Sequence, residues 1–155
     1  MTRIPLAPVL AAGLAALTLA ACSPGGGGAL SAGLTQRMDQ PGATLNAAEA
    51  IGIINHFRTA SGVPPVSMDS GLNGSAQALA TAYAKTGNTP KLPATLVVIR
   101  TSAGYGDFAE TFSGWRNSPA DAAGLTERSA NKAGIGVAYD PNSTYGVYWV
   151  LLLDD

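Results

Sequence analysis

The chain has 155 residues, with 9 Lys and Arg against 10 Asp and Glu, one His and one Cys. Its length argues for one domain. A near-neutral balance without basic runs excludes an electrostatic footprint for nucleic acid, and a lone thiol excludes both an internal disulfide and a thiolate metal centre.

At the start, Arg3 precedes the apolar run IPLAPVLAAGLAALTLAA, which is marginal in length for a membrane span and interrupted by Pro5 and Pro8. Residues 1–21 read as a signal peptide. LAAC, Leu19 to Cys22, resembles the lipobox of bacterial lipoproteins. The resemblance implies cleavage before Cys22, lipid attachment to its thiol, and a membrane as partner through that anchor. Two or three acyl chains, at about 0.8 kcal/mol per buried methylene, hold a protein on a bilayer far more durably than one. Ser23 after the cysteine implies, by the same resemblance, the outer membrane, with the domain facing periplasm or exterior. The plainer alternative is an uncleaved apolar helix ending in a buried Cys.

Residues 22–43 follow as the lipidated Cys and a tether, because SPGGGGALSAGLTQRMDQPGA is rich in Gly and Ser without a period. A flexible chain of that length spans about 25 Å. The folded domain is expected over residues 44–155.

In NAAEAIGIINHFRTASG, Asn46 and Glu49 have the spacing of a capping box and Gly62 closes the helix. Ala47, Ala50, Ile51, Ile54 and Phe57 gather on one face. Arg58 falls within that face and demands a carboxylate or carbonyl partner, while His56 points toward solvent. Pro64 and Pro65 force an extended connector. Asp69 then caps a second helix with Leu72, Ala76, Leu79, Ala80 and Tyr83 as its apolar stripe, closed by Lys85 and Gly87.

TLVVIR, residues 95–100, reads as the first strand. Asp107 and Glu110 repeat the capping-box spacing and place Phe108, Phe112 and Trp115 on a short helix. Ser118 and Pro119 start another. GIGVAYD and YGVYWVLLL, separated by PNST, form an antiparallel hairpin. In the last strand Val147, Trp149, Leu151 and Leu153 face one way, and Tyr148, Val150 and Leu152 the other. Both faces are apolar, so the sheet needs helices on both sides and the architecture is three-layered. Gly134, Gly136 and Ala138 share one face and admit a helix at close range.

Three segments in this order, IGIINHFRTASGVPPVSMDSGLNGSAQALATAYA, AGYGDFAETFSGWRNSPADAAGL and AGIGVAYDPNSTYGVYWVLLL, resemble the CAP superfamily of cysteine-rich secretory proteins, antigen 5 and pathogenesis-related proteins, in its bacterial SCP-domain branch. Asn55 with Arg58, WRNSP at Trp115 to Pro119, and YGVYW carry the likeness, which covers nearly everything from Thr44 onward. It implies an α/β fold, a three-layer α-β-α sandwich with a small, mainly antiparallel sheet. Many members hold a divalent metal in a cleft with two histidines and two acidic residues; proposed roles include lipid or sterol binding, peptide recognition and, rarely, hydrolysis. This chain departs from that pattern. Asp121 stands where bacterial relatives carry the histidine of Ser-Pro-Gly-His, and Ile99 where they carry a glutamate. GNTPKLP, after the second helix, supplies no histidine either.

His56 is the only imidazole, whereas zinc wants three or four nitrogen, sulfur or carboxylate ligands. Asp107, Glu110 and Asp121 lack the spacing of a calcium loop. No metal, no cofactor and no catalytic residue is therefore expected. Tyr105, Phe112 and Trp115 are open to two readings, core or wall of an apolar pocket. Asp121 is either a first-turn helix acid or a retained pocket residue. Asn117 and Ser118 read as backbone caps. SANK and KTG match two β-lactamase elements in the wrong order, on a chain too short for that fold.

The candidate pocket comprises Tyr105, Glu110, Trp115, Ser118 and Asp121. The expected function is non-catalytic binding of a lipid, cell-wall component or protein partner by an envelope-anchored domain. The alternatives are a divergent hydrolase using Glu110 and Asp121 as acid and base on an envelope lipid or polymer, which needs one of them buried, and a structural spacer without a pocket.

Overall fold

In a computed structural model of the chain, the structure describes residues 31–155; the expected signal peptide and Cys22 lie outside the described residues. The elements are α1 (Ala47–Ala60), β1 (Ser67–Met68), α2 (Ser70–Thr86), β2 (Val98–Ala103), α3 (Phe108–Asn117), α4 (Pro119–Leu125), β3 (Lys132–Tyr139) and β4 (Val147–Asp154). The strands form one sheet in the order β1-β3-β4-β2, with β3–β4 and β4–β2 antiparallel and β1–β3 parallel. This is an α/β fold with a small mixed sheet, as the sequence led us to expect.

The alternation in β4 decides the layering. Val147, Trp149, Leu151 and Leu153 pack into the core shared with α1, α3 and Leu125 of α4. Val150 and Leu152 face Ala76 and Ala80 of α2, and Tyr148 meets Tyr83 and Ala84 of that helix. Every residue from Val147 to Leu153 is buried. On β3, a Cβ at Gly134 would reach the Leu72 backbone and one at Gly136 would stand 2.5 Å from the Ala76 carbonyl carbon, so α2 lies directly on the strand.

The helix ends follow the expected caps. Asn46 Oδ1 accepts from Glu49 N–H at 3.3 Å and Asp69 Oδ1 from Leu72 N–H at 2.8 Å. Gly87 closes α2 in the left-handed conformation, which also places KTG at a helix end rather than on a strand. Arg58 has no solvent exposure. Its partners are carbonyls: Nε donates to Pro64 (2.8 Å), Nη1 to Leu125 (2.8 Å) and Nη2 to Ala130 (3.1 Å). Asn55 pairs with both backbone groups of Val66 at 2.8 Å and holds the proline connector against α1.

Two expectations need correction. The first strand begins at Val98 rather than residue 95 and runs to Ala103, because the pairing with Leu153 to Tyr148 sets its ends. The proline connector leads into the two-residue β1, too short to carry an alternation. Secondly, the domain does not start at Thr44. Leu34 and Met38, within the expected tether, are only 5% and 2% exposed. Met38 N–H donates to the Gly106 carbonyl at 2.8 Å, and Ala109 N–H to the Leu34 carbonyl at 3.0 Å. Two apolar side chains in a polar, Gly-rich segment are enough to seat it when the core leaves room for them. Beside this strap, Arg37 pairs with Asp39 and holds its carboxyl below the usual carboxylate range.

Among the described residues, β3 has no strand on its outer side beyond Ala133. Two side chains of α2, one turn apart, close this edge instead. Ile135 N–H donates to Asn73 Oδ1 (2.9 Å), Val137 N–H to Gln77 Oε1 (3.3 Å), and Gln77 Nε2 to the Val137 carbonyl (2.8 Å). Unpaired strand edges template intermolecular pairing. Asn73→Ala/Gln77→Ala is therefore expected to lower stability by about 1–2 kcal/mol and to cause concentration-dependent self-association in sedimentation velocity. A double variant that sediments like the wild type at every concentration would show that the edge needs no cover.

Candidate functional site

The segment between β2 and α4 positions most of the residues that the sequence singles out. Asp107 caps α3, its Oδ1 accepting from Glu110 N–H at 2.9 Å. With that start fixed, Phe108, Phe112 and Trp115 project into the core at 1%, 9% and 2% exposure. Phe108 packs on Trp149 with ring centroids 5.9 Å apart, and Phe112 meets Phe57 at 5.9 Å. Trp115 donates its Nε1–H to the Thr101 carbonyl at 3.1 Å. The indole is a core residue fastening α3 to β2, and the reading of Trp115 as a pocket wall is corrected. An aromatic at helical spacing is read equally well either way until the sheet supplies its partner.

Ser118 ends α3 and begins α4, with Oγ accepting from Asp121 N–H at 3.4 Å and Pro119 following as first helical residue. The resulting bend opens a shallow groove of about 800 Å³ lined by Gly104, Tyr105, Glu110, Ser113, Gly114, Asn117 and Ser118. Three of the five expected pocket residues, Tyr105, Glu110 and Ser118, thus share one groove. Glu110 Oε2 accepts from Gly106 N–H at 3.2 Å and lies 3.9 Å from Arg37 Nη1. A separate apolar recess of about 390 Å³ borders α3 as well, lined by Leu34, Ile53, Phe108 and Phe112 among others.

Asp121 does not line the groove. Its carboxylate lies 3.4 Å from Arg100 Nε. Arg100 reaches across from β2, donating to the carbonyls of Ala120 (3.0 Å), Asp121 (3.3 Å) and Ile99 (2.6 Å). Gly124 makes room for it, since a Cβ there would overlap the guanidinium. Sequence reasoning missed Arg100, which looked like the last residue of a β-branched run. Its only trace was a charge inside an apolar strand, followed some twenty residues later by an Asp and a Gly.

The donor set does not fit the divalent cation that the resemblance implies. At the two compared positions stand Asp121, engaged by a guanidinium, and Ile99, packed near Val150 and Leu152. His56 is exposed on α1. Among the described residues, no three His, Cys, Asp or Glu side chains come together in a metal-binding group. Glu110 and Asp121 do not face a common cleft either, so an acid–base pair on opposite sides of one substrate has no geometry here.

Solved structures show how the fold relates to known proteins. An outer surface protein of Borrelia burgdorferi is similar at 18% identity, over 67% of this chain and 88% of that one, with a TM-score of 0.53. MpPR-1i is similar at 19% identity, over 69% and 84%, with a TM-score of 0.57. An extracellular SCP-domain protein of Bacillus anthracis is similar at 15% identity over 71% of this chain, which spans 40% of that larger protein, with a TM-score of 0.57. At these identities the likeness is one of fold. No curated protein matches the chain significantly. A family model described as CAP, the cysteine-rich secretory protein family, matches residues 51–153, and the chain belongs to that family.

Proposed function

We propose that this protein is an envelope-anchored lipoprotein whose CAP domain binds a ligand without transforming it. One observation carries the reading: where the resemblance implies metal ligands stand Asp121, paired with Arg100, and the apolar Ile99, while an open groove lies beside Tyr105. A guanidinium tethered to β2 neutralises Asp121 and satisfies α4 carbonyls, leaving the acid no free role. The groove is partly polar and wide enough for a ligand of several sugar or amino-acid units. The lipobox-like LAAC supports the anchor and the surface location, in keeping with the outer surface and extracellular proteins among the structural neighbours.

The hydrolase alternative has less support. Its two carboxylates do not share the groove, and neither side chain is buried, Glu110 being 52% and Asp121 34% exposed.

The test is affinity capture of the full chain from native membranes, with lipid, sugar and protein analysis of the eluate, comparing wild type with Tyr105→Ala. Material that accompanies the wild type and falls at least fivefold in the variant is expected. An identical eluate from both proteins would overturn a binding role for this groove.

A further inference from the structure

The loop at the rim of the groove holds an aromatic surface in place before any ligand arrives. Gly104 adopts φ +91°, and its N–H donates to the Val147 carbonyl at 2.9 Å. The Tyr105 carbonyl accepts from Trp149 Nε1–H at 2.9 Å. Gly106 donates to Glu110 and accepts from Met38 N–H. Three consecutive residues are thus tied to β4, α3 and the N-terminal strap.

On this rigid loop the Tyr105 ring lies across α3 at Gly114, where a Cβ would stand 3.0 Å from ring Cε2 and 3.1 Å from the phenol oxygen. The ring is nevertheless 41% exposed. Tyr145, 59% exposed, sits beside Gly104, with Cδ1 3.8 Å from the Cβ position there. The fold hides Trp115, Trp149, Tyr148 and Phe108 almost completely, yet it leaves Tyr105 and Tyr145 exposed, Tyr145 packing edge-on against Tyr148. Next to Tyr105, Glu110, Ser113 and Asn117 offer a carboxylate, a hydroxyl and an amide.

We propose that this groove binds an uncharged glycan, the Tyr105 ring stacking on a sugar ring while Glu110, Ser113 and Asn117 take hydroxyls. The inference rests on the binding role proposed above and names the ligand class. A pyranose has an apolar C–H face that suits an aromatic ring, and a rim of hydroxyls that both donate and accept. A carboxylate accepts only, whereas an amide and a hydroxyl do both, so the three side chains match adjacent sugar hydroxyls. Charge selects against acidic polymers, because Glu110 is in the groove and its nearby cation, Arg37, is already engaged by Asp39. An acyl chain is a poor occupant, since it strips water from these polar groups and offers them no partner.

The test is isothermal titration of the full chain in detergent micelles with chitotetraose and cellotetraose, with polygalacturonate and dihexanoyl-phosphatidylglycerol as further arms. Saturable binding of at least one neutral tetrasaccharide is expected. Tyr105→Ala should weaken it at least tenfold, and Asn117→Ala at least threefold, while His56→Ala on α1 leaves it unchanged. Asn117 is exposed, so its variant remains informative if Tyr105→Ala disturbs the loop. Failure of both tetrasaccharides to saturate by about 10 mM, or binding insensitive to both Tyr105→Ala and Asn117→Ala, overturns the proposal, as does preference for the acidic polymer or the lipid. A blank sugar titration together with Tyr105-dependent lipid or protein in the membrane eluate removes the glycan and leaves the binding role. Blanks in both remove both.

Discussion

Arg58→Ala is expected to be among the most damaging single substitutions in the domain, lowering stability by about 4–5 kcal/mol. The guanidinium is fully buried and, among the described residues, meets no carboxylate within ion-pair distance; its partners are three carbonyls from the proline connector, the end of α4 and the approach to β3. Burial lowers its proton affinity from the ordinary arginine value, yet that value is so high that the group stays charged at neutral pH. Truncation leaves three acceptors without partners, at about 1–3 kcal/mol each where water cannot replace the donor. Against a total stability of about 5–15 kcal/mol, most of the margin is consumed. In urea the midpoint should fall by about 2 M. Arg58→Met restores much of the volume but none of the donors, so it should remain close to the alanine variant. Arg58→Lys, a point charge in place of a planar fork, should recover about half the loss. If Arg58→Met unfolded near the wild-type midpoint, packing rather than hydrogen bonding would be the role of this residue.

The second large effect is expected at the interface of α2 with β3. Gly136→Ala places a methyl group against the backbone of Ala76 and Gln77, and Gly134→Ala one against Leu72 and Asn73. The obstacles are main-chain atoms on both sides, so no rotamer change relieves the overlap and the helix has to retreat. Overpacking costs about 1–3 kcal/mol at sites that can adjust; Gly136→Ala should reach the upper end of that range and the double variant exceed it. Gly52 in α1 and Gly74 in α2 provide controls of opposite sign. A Cβ at either meets nothing within 4 Å, and alanine there should raise stability by up to about 1 kcal/mol through helix propensity. Thermal unfolding of the four single variants is the measurement. A stabilising Gly136→Ala would mean that α2 does not sit directly on the strand.

These effects separate what was readable along the chain from what was not. The two-sided pattern in Tyr148, Trp149, Val150, Leu151 and Leu152 was enough to require helices on both faces of the sheet. Asn46, Asp69, Asp107 and Ser118 were each recognisable as helix starts from the residues that follow them. The need of Arg58 for a buried partner could be read from its place on the apolar face of α1. Such features are local, because a helical or strand period records which side of an element is buried, and a cap is satisfied within three residues.

The identity of non-local partners is another matter. Leu34 and Met38 belong to the core although their segment has the composition of a tether, since two side chains carry no period and the core cluster they join is assembled from helices and strands elsewhere in the chain. Trp115 was equally compatible with core and pocket until Thr101 supplied its hydrogen bond. Asp121 carried no mark of Arg100, twenty-one residues away on a different element. By itself, the sequence determined the order of the helices and of the C-terminal hairpin, the layering, and that the chain has a single imidazole, because each depends on residue type and spacing alone. Tertiary structure alone decided that Arg100 engages Asp121 and that an open groove lies beside Tyr105, because both follow from which distant backbone and side-chain atoms the packed sheet brings together.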